Sequence, residues 1–333
     1  MRLRFLFVVM LVNFFCSKSG VCIEIPFNRG VNITNWLQSK GPREIHFTRF
    51  GRDDLRDIRE LGFDVIRLPI NLHSMTEDSS DYSLDPLFLF FLDQILDWCE
   101  ELGLYVILDN HSFSNDFRSD SGIDKVLIRV WSQLARHLND RSDFIIYEIL
   151  NEPHGVDDSV WGRIQGDVID TIRLVDEDRV IIVGPANWNS FKNLSLMPQY
   201  SDNRLIYTFH FYEPFLFTHQ GANWVTPSMV SVVDIPFPYK SESMPRVSPE
   251  LAGTWVGAAY SSYYRESNLL QIEEQLDIAV EFAKIRDVPI FCGEFGVFNK
   301  NAPRSDRNGW YRVVRKAFEA RGIPWIMWDY KGG

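Results

Sequence analysis

Two glutamates, Glu152 and Glu294, are the residues whose setting points most directly to chemistry. Glu152 closes the run Phe144-Ile-Ile-Tyr-Glu-Ile-Leu-Asn151, which is short, apolar and rich in β-branched side chains, as a parallel strand covered on both faces is. Pro153 follows and has no N–H to give a ladder, so the strand must stop with a carboxylate at its end. Glu294 ends a second buried run, Val288-Pro-Ile-Phe-Cys-Gly-Glu-Phe-Gly296. In an α/β barrel the carboxyl ends of the strands are where reactions are done. Two acids placed there suggest cleavage of a glycosidic bond, in which one carboxyl holds a proton for the leaving oxygen and the other stays ionised.

Other polar residues sit at equivalent places. Arg67, in Val65-Ile-Arg-Leu-Pro69, needs a carboxylate partner if it lies inside a barrel, because an unpaired buried guanidinium is costly. Glu148 and Asp109 are candidates for that pairing. Glu148 shares strand parity with Glu152 but lies deeper, so it reads as a structural carboxylate of the barrel interior. His111 and His210 each end a predicted strand, where a lone histidine is more often a structural hydrogen-bonding group than a catalyst. Neither Cys-x-x-Cys nor histidine–carboxylate ligand spacing occurs, so no zinc site and no disulfide framework is expected.

The elements that must position these residues alternate at the spacing of βα units. Strands are expected at about 28–36, 63–70, 104–111, 144–151, 179–188, 205–214, 288–295 and 324–330. Helices are expected at about 53–61, 86–102, 123–138, 159–175, 269–285 and 306–320, with Pro86 in a first turn and Gly103 at an end. The rhythm breaks between residues 215 and 265, which hold Trp224, Tyr239, Trp255, Tyr260 and several prolines and show no clear helix. A loop that long is usually functional. About eight strands separated by helices select a closed (β/α)8 TIM barrel over an open doubly wound sheet. Such a barrel takes roughly 250 residues or more, nearly all of this chain, so a single domain is expected over residues 20–333.

The formal charge of -11 argues against nucleic acid or an anionic membrane as partner and fits action on a neutral polymer. Residues 1–15 have a basic start and an apolar core too short to span a bilayer, and Ser17-Lys-Ser19 supplies small residues for cleavage. Residues 1–19 are therefore expected to be an export signal, leaving a secreted or periplasmic monomer with no stable membrane association. Cys16 would leave with the signal, while Cys99 and Cys292 read as core thiols.

With the strand ends aligned, the sequence resembles family 5 of the glycoside hydrolases, the family of many cellulases, from about Gly30 to Tyr330. The resemblance implies that Glu152 of Asn151-Glu152-Pro153 is the acid/base and Glu294 of Gly293-Glu294-Phe295-Gly296 the nucleophile. It further implies that Arg67 holds the nucleophile, that Tyr212 hydrogen-bonds it, and that His111 and His210 bind substrate and orient the site. Asn151 would contact the sugar 2-hydroxyl, and Trp328 would form the floor under the sugar, an apolar ring against the C–H face of a pyranose. Asn35, Trp36, Trp188 and Trp224 are weaker candidates for subsite contacts. Ser112-Phe113 stand where some relatives carry a second histidine, which leaves the outer subsites open. The function implied is a retaining, endo-acting hydrolysis of β-1,4-glucan, cellulose-like or mixed-linkage, without metal or organic cofactor. Alternatives with the same site are a β-mannanase, a β-1,3-glucanase or a barrel that binds carbohydrate without cutting it.

Only Lys331-Gly332-Gly333 follow the last predicted strand, so the barrel's final helix is expected to be missing and the frame C-terminally truncated. If Trp328 faces the cleft, strand alternation turns Trp325 and Met327 outward. An uncovered apolar strip is then expected, unless residues near the N-terminus fill it.

Overall fold

The computed structural model describes residues 23–77, 81–113 and 122–332. The expected signal peptide, with Cys16, lies outside them. Eight parallel strands close into one barrel in sequence order. They are β1 (Arg29–Asn32), β2 (Val65–Ile70), β3 (Tyr105–Asn110), β4 (Ile145–Glu148), β5 (Ile181–Val183), β6 (Leu205–Phe211), β7 (Ile290–Phe295) and β8 (Trp325–Met327). Helices lie between successive strands, the long ones including Arg52–Glu60, Pro86–Leu102, Ile123–Leu138, Asp158–Arg173, Leu269–Arg286 and Arg304–Ala320. Local chemistry explains their limits. Pro86–Leu102 starts on Asp85, whose side chain accepts from the Leu87 N–H, and stops on left-handed Gly103. No helix of the described residues is long and apolar enough to cross a membrane.

Side-chain alternation stacks the barrel interior in layers. At the floor Val65, Ile107, Ile146, Ile182, Ile206, Phe291 and Ile326 form one buried cluster, one residue from each of β2 to β8. On β1 the matching residue is Gly30, where a Cβ would sit 2.5 Å from Val65, and Phe27 fills the space from below. Two residues further along β1, β2, β3 and β4 come Asn32, Arg67, Asp109 and Glu148, all buried. A polar layer thus rests on an apolar floor and carries the site above it.

Three expectations are corrected here. Residues 215–265 do contain helix, a single turn at Phe215–Thr218 and three turns at Trp255–Glu266, the latter started by the Thr254 hydroxyl on the Val256 N–H. The first strand is shorter than expected and ends at Asn32. Trp325 is not wet: it is 7% exposed, packed edge-on by Phe63 and Phe295 at ring distances of 6.3 and 5.4 Å. Met327 is half-buried, and beyond it Tyr330 packs on Phe50 while Lys331 pairs with Asp54 at 2.6 Å, drawing the chain over helix Arg52–Glu60. Among the described residues no helix follows β8. Cys99 and Cys292 are free and buried, as expected.

Candidate active site

Arg67, fully buried on β2, is the centre of the polar layer. Its Nε and Nη2 donate to the two oxygens of Glu148 at 2.7 and 2.8 Å. Nη1 donates to Glu294 Oε1 at 2.7 Å and Asn32 Oδ1 at 2.9 Å, and Nη2 also reaches Asn151 Oδ1 at 2.8 Å and Asp109 Oδ2 at 3.1 Å. Burial alone would lower its pKa, but Asp109, Glu148 and Glu294 drive it well above the usual value. The candidate partners expected from the sequence are therefore all engaged at once. Burial pushes the Glu148 carboxyl up against the pull of Arg67.

Glu294 reaches this centre through an irregularity. Along β6 and β7 the register runs Phe209 to Cys292 and then His210 to Glu294, so Gly293 is an extra residue that turns the next side chain inward. A Cβ on Gly293 would lie 2.7 Å from Thr208 Oγ1, so only glycine fits there. Glu294 Oε1 accepts from Arg67, and Oε2 accepts from the Tyr212 hydroxyl at 2.8 Å. Both oxygens are taken as acceptors, the arrangement that suits a carboxylate. Burial and the neighbouring Glu294 push the Tyr212 phenol up, so it stays a donor.

Glu152 is held differently. Regular pairing of β4 ends at Glu148, and the parity expected between Glu148 and Glu152 does not continue: Asn151, not Leu150, reaches Arg67. Glu152 then adopts left-handed backbone with φ 45°. Its side chain is 27% exposed and its Oε1 lies 2.7 Å from His210 Nδ1. Burial raises its pKa to about 7 against the pull of His111, Arg67 and His154. Burial lowers that of His210 to about 4 despite Glu294. For His111 burial works downward too, but Asp109, 2.8 Å from Nδ1, raises the pKa overall.

The remaining sequence candidates divide. His111 stacks on the half-buried Trp328 with centroids 5.8 Å apart, and its Nε2 lies 3.4 Å from Asn151 Nδ2, so both residues border the carboxyls. Trp188 is 53% exposed and stacks on His154 at 5.0 Å, beside Glu152 in sequence. Trp224 is 59% exposed on the rim, edge-on to Phe298 and to His219, which in turn packs on Tyr212. Asn35 is exposed, its N–H donating to Gln38. Trp36 is a correction: it is fully buried between Phe50 and Phe91 and is core, not a subsite wall. Residues missed from sequence are Asn32, Thr208 and Asn189, buried polar groups touching the site. Asn32 and Thr208 carry the signal of a polar residue at an inward position of an apolar strand.

Atoms of Glu152, His210 and Glu294 lie within 4.8 Å of one another. That spacing suits a cation, but the donor set does not, since both Glu294 oxygens are occupied and the Arg67 charge is 2.7 Å away. Two opposed carboxyls, one protonatable and one held as acceptor at the strand ends of a closed parallel barrel, define a barrel glycoside hydrolase. The chain belongs to the cellulase family, glycosyl hydrolase family 5, whose model matches residues 34–333. It is 31% identical over 330 residues to endoglucanase 3 of Fibrobacter succinogenes, covering 92% of this chain but only 49%, about half, of that relative. Endoglucanase C of Acetivibrio thermocellus is 29% identical over 326 residues, 92% of each chain. Among solved structures, a hyperthermophilic endo-β-1,4-glucanase in complex with substrate superposes with a TM-score of 0.78 at 27% identity, over 92% of this chain and 90% of that one.

Proposed function

We propose that the chain is a retaining, endo-acting β-glycosidase cutting β-1,4-linked glucan, cellulose-like or mixed-linkage, with Glu294 as nucleophile and Glu152 as acid and then base. The observation that carries this is the carboxyl pair. An oxygen of each lies within 4.8 Å of the other, which supports the short ~5–5.5 Å arrangement of retaining enzymes over the ~6.5–9.5 Å that leaves room for a water. Glu294 attacks the anomeric carbon while Glu152 protonates the departing oxygen; water, deprotonated by Glu152, then releases the glycosyl group. Arg67, bonded to Glu294 and to Asn151 Oδ1, holds the nucleophile in line and fixes the Asn151 amide, whose role in this reading is to meet the sugar 2-hydroxyl. Trp328, backed by His111, supplies the ring under the sugar.

Support for β-1,4-glucan comes from two relatives named endoglucanases and from the similar solved structure of a hyperthermophilic endo-β-1,4-glucanase. A second substrate has support as well: the Thermotoga maritima endoglucanase, 25% identical with a TM-score of 0.76, is solved in complex with mannotriose. Trp224 and Trp255 are exposed aromatic rings in the long segment after β6, which supports a groove that a polymer crosses. Viscosity of a soluble β-1,4-glucan should therefore fall well before much reducing sugar appears, whereas release of monosaccharide alone from chain ends would contradict endo action. For residues 1–19 as an export leader and residues 20–333 as a monomer acting outside the cytoplasm, support is the basic start and short apolar core of the leader.

The pH profile follows from Glu152, which must be protonated in the first step. With a pKa of about 7, kcat/KM on a polysaccharide should fall as pH rises through about 7. On a dinitrophenyl glycoside, whose leaving group needs no proton, that limb should vanish. A polysaccharide limb near the ordinary 4.5 would contradict the assignment.

A further inference from the structure

The site holds its two histidines in opposite ways. His111 Nδ1 faces a carboxylate, Asp109, at 2.8 Å, which fixes one tautomer and favours the charged ring. His210 turns Nδ1 to Glu152 at 2.7 Å, and on its other side Nε2 meets only neutral groups. The Asn189 amide is 3.5 Å away, and Gly293, where a Cβ would come within 3.2 Å of Nε2, leaves the space free of a further side chain. Asn189 Oδ1 is buried without a hydrogen-bond partner, so it is not committed elsewhere. An amide, by a half-turn, offers Nε2 either a donor or an acceptor.

The backbone is bent to bring Asn189 there. Asn187, Trp188 and Asn189 are successive non-glycine residues in left-handed conformation, at φ 59°, 60° and 50°. Such strain persists only where surrounding contacts hold it. Here the Trp188 N–H donates to the Pro153 carbonyl at 3.2 Å, tying the turn to the residue after Glu152, and Asn189 ends fully buried.

We propose that Asn189 is a positioning residue that keeps His210 neutral and oriented in both protonation states of Glu152. When Glu152 carries its proton, His210 Nδ1 accepts it as a hydrogen bond and Nε2–H donates to the Asn189 amide oxygen, turned toward it. When Glu152 is a carboxylate, Nδ1–H donates to it and Nε2 accepts from the Asn189 amide N–H. A neutral His210 spares Glu152 an adjacent cation, which would strip its proton too early. The charged and titratable groups facing His210 are Glu152, Glu294, Arg67, Asp109, His111 and Tyr212, and none of them touches Nε2. This inference rests on the acid/base role proposed for Glu152.

Asn189→Asp gives His210 the kind of partner His111 has, while an aspartate still tolerates the left-handed backbone. The charged ring should move the basic limb of kcat/KM on polysaccharide down by about one pH unit or more and leave the dinitrophenyl glycoside rate above that limb unchanged. Equal losses on both substrates with an unmoved limb would mean a merely structural residue and overturn the proposal. If the Asn189→Asp substitution prevents folding, 15N NMR of the unaltered enzyme decides. His210 should stay neutral and pass from the Nε2–H to the Nδ1–H tautomer as pH crosses about 7. One tautomer throughout, or a charged ring at neutral pH, would refute it. If Glu152→Ala shows no dependence on leaving group, the acid/base role itself fails; if that dependence holds and the limb stays, only this inference does.

Discussion

Glu294→Ala should remove hydrolysis of every substrate, whatever its leaving group, because no other group can form the glycosyl bond. Glu152→Ala should cost the ~10²–10⁴-fold typical of a positioned acid on polysaccharide, yet spare the first step on a dinitrophenyl glycoside. Adding azide should then speed turnover of the Glu152 variant, since a small anion can enter the space of the missing carboxyl and attack the glycosyl-enzyme without needing a base. The two variants differ because their surroundings do: Glu152 sits against His210, whose pKa burial lowers to about 4, while Glu294 accepts from a guanidinium and a phenol. Azide rescue of the Glu294 variant with none for Glu152 would reverse the roles.

Arg67→Ala should be the most destabilising single change in the site. One guanidinium, fully buried, faces Asp109, Glu148 and Glu294. Removing one partner of a buried ion pair costs ~3–5 kcal/mol, a large share of the ~5–15 kcal/mol that holds a domain together. Arg67→Lys should not restore it, because an ammonium cannot fork onto Glu148 while reaching Glu294. The sign with pH is also set. Burial already pushes the Glu148 carboxyl up against the pull of Arg67, so without Arg67 its folded-state pKa stands further above the unfolded one, the folded state binds the extra proton, and stability rises as pH falls toward about 5. Urea unfolding of the variant at several pH values checks this, and a loss under ~1 kcal/mol would show that the network is not what organises the layer.

How far the sequence alone leads to this picture depends on how regular each segment is. β2 and β3 are legible because period-two alternation runs unbroken through Val65, Arg67 and through Ile107, Asp109. The carboxyl-bearing strands are not regular at their ends. Gly293 shifts the register to aim Glu294 inward, and the chain after Glu148 leaves strand geometry so that Asn151 takes the place parity assigns to another residue. The positions of both glutamates were therefore readable from their motifs, but not the backbone that points them. Trp36 and Trp325 show the limit for aromatics, since a tryptophan at a strand end packs inward or toward substrate depending on partners such as Phe50, Phe91 and Phe63, far away in sequence. Asn189 was invisible because its role depends on three left-handed residues that no hydrophobic pattern marks.

The central claim is double displacement through Glu294, and the anomer first released tests it most directly. Carboxyl oxygens within 4.8 Å of each other favour direct attack by Glu294 over attack by an interposed water. Proton NMR of a cello-oligosaccharide digest, followed from the first minutes before mutarotation, should show the β-anomer of the new reducing end appearing first. The α-anomer appearing first would mean a single displacement by water and would contradict the account.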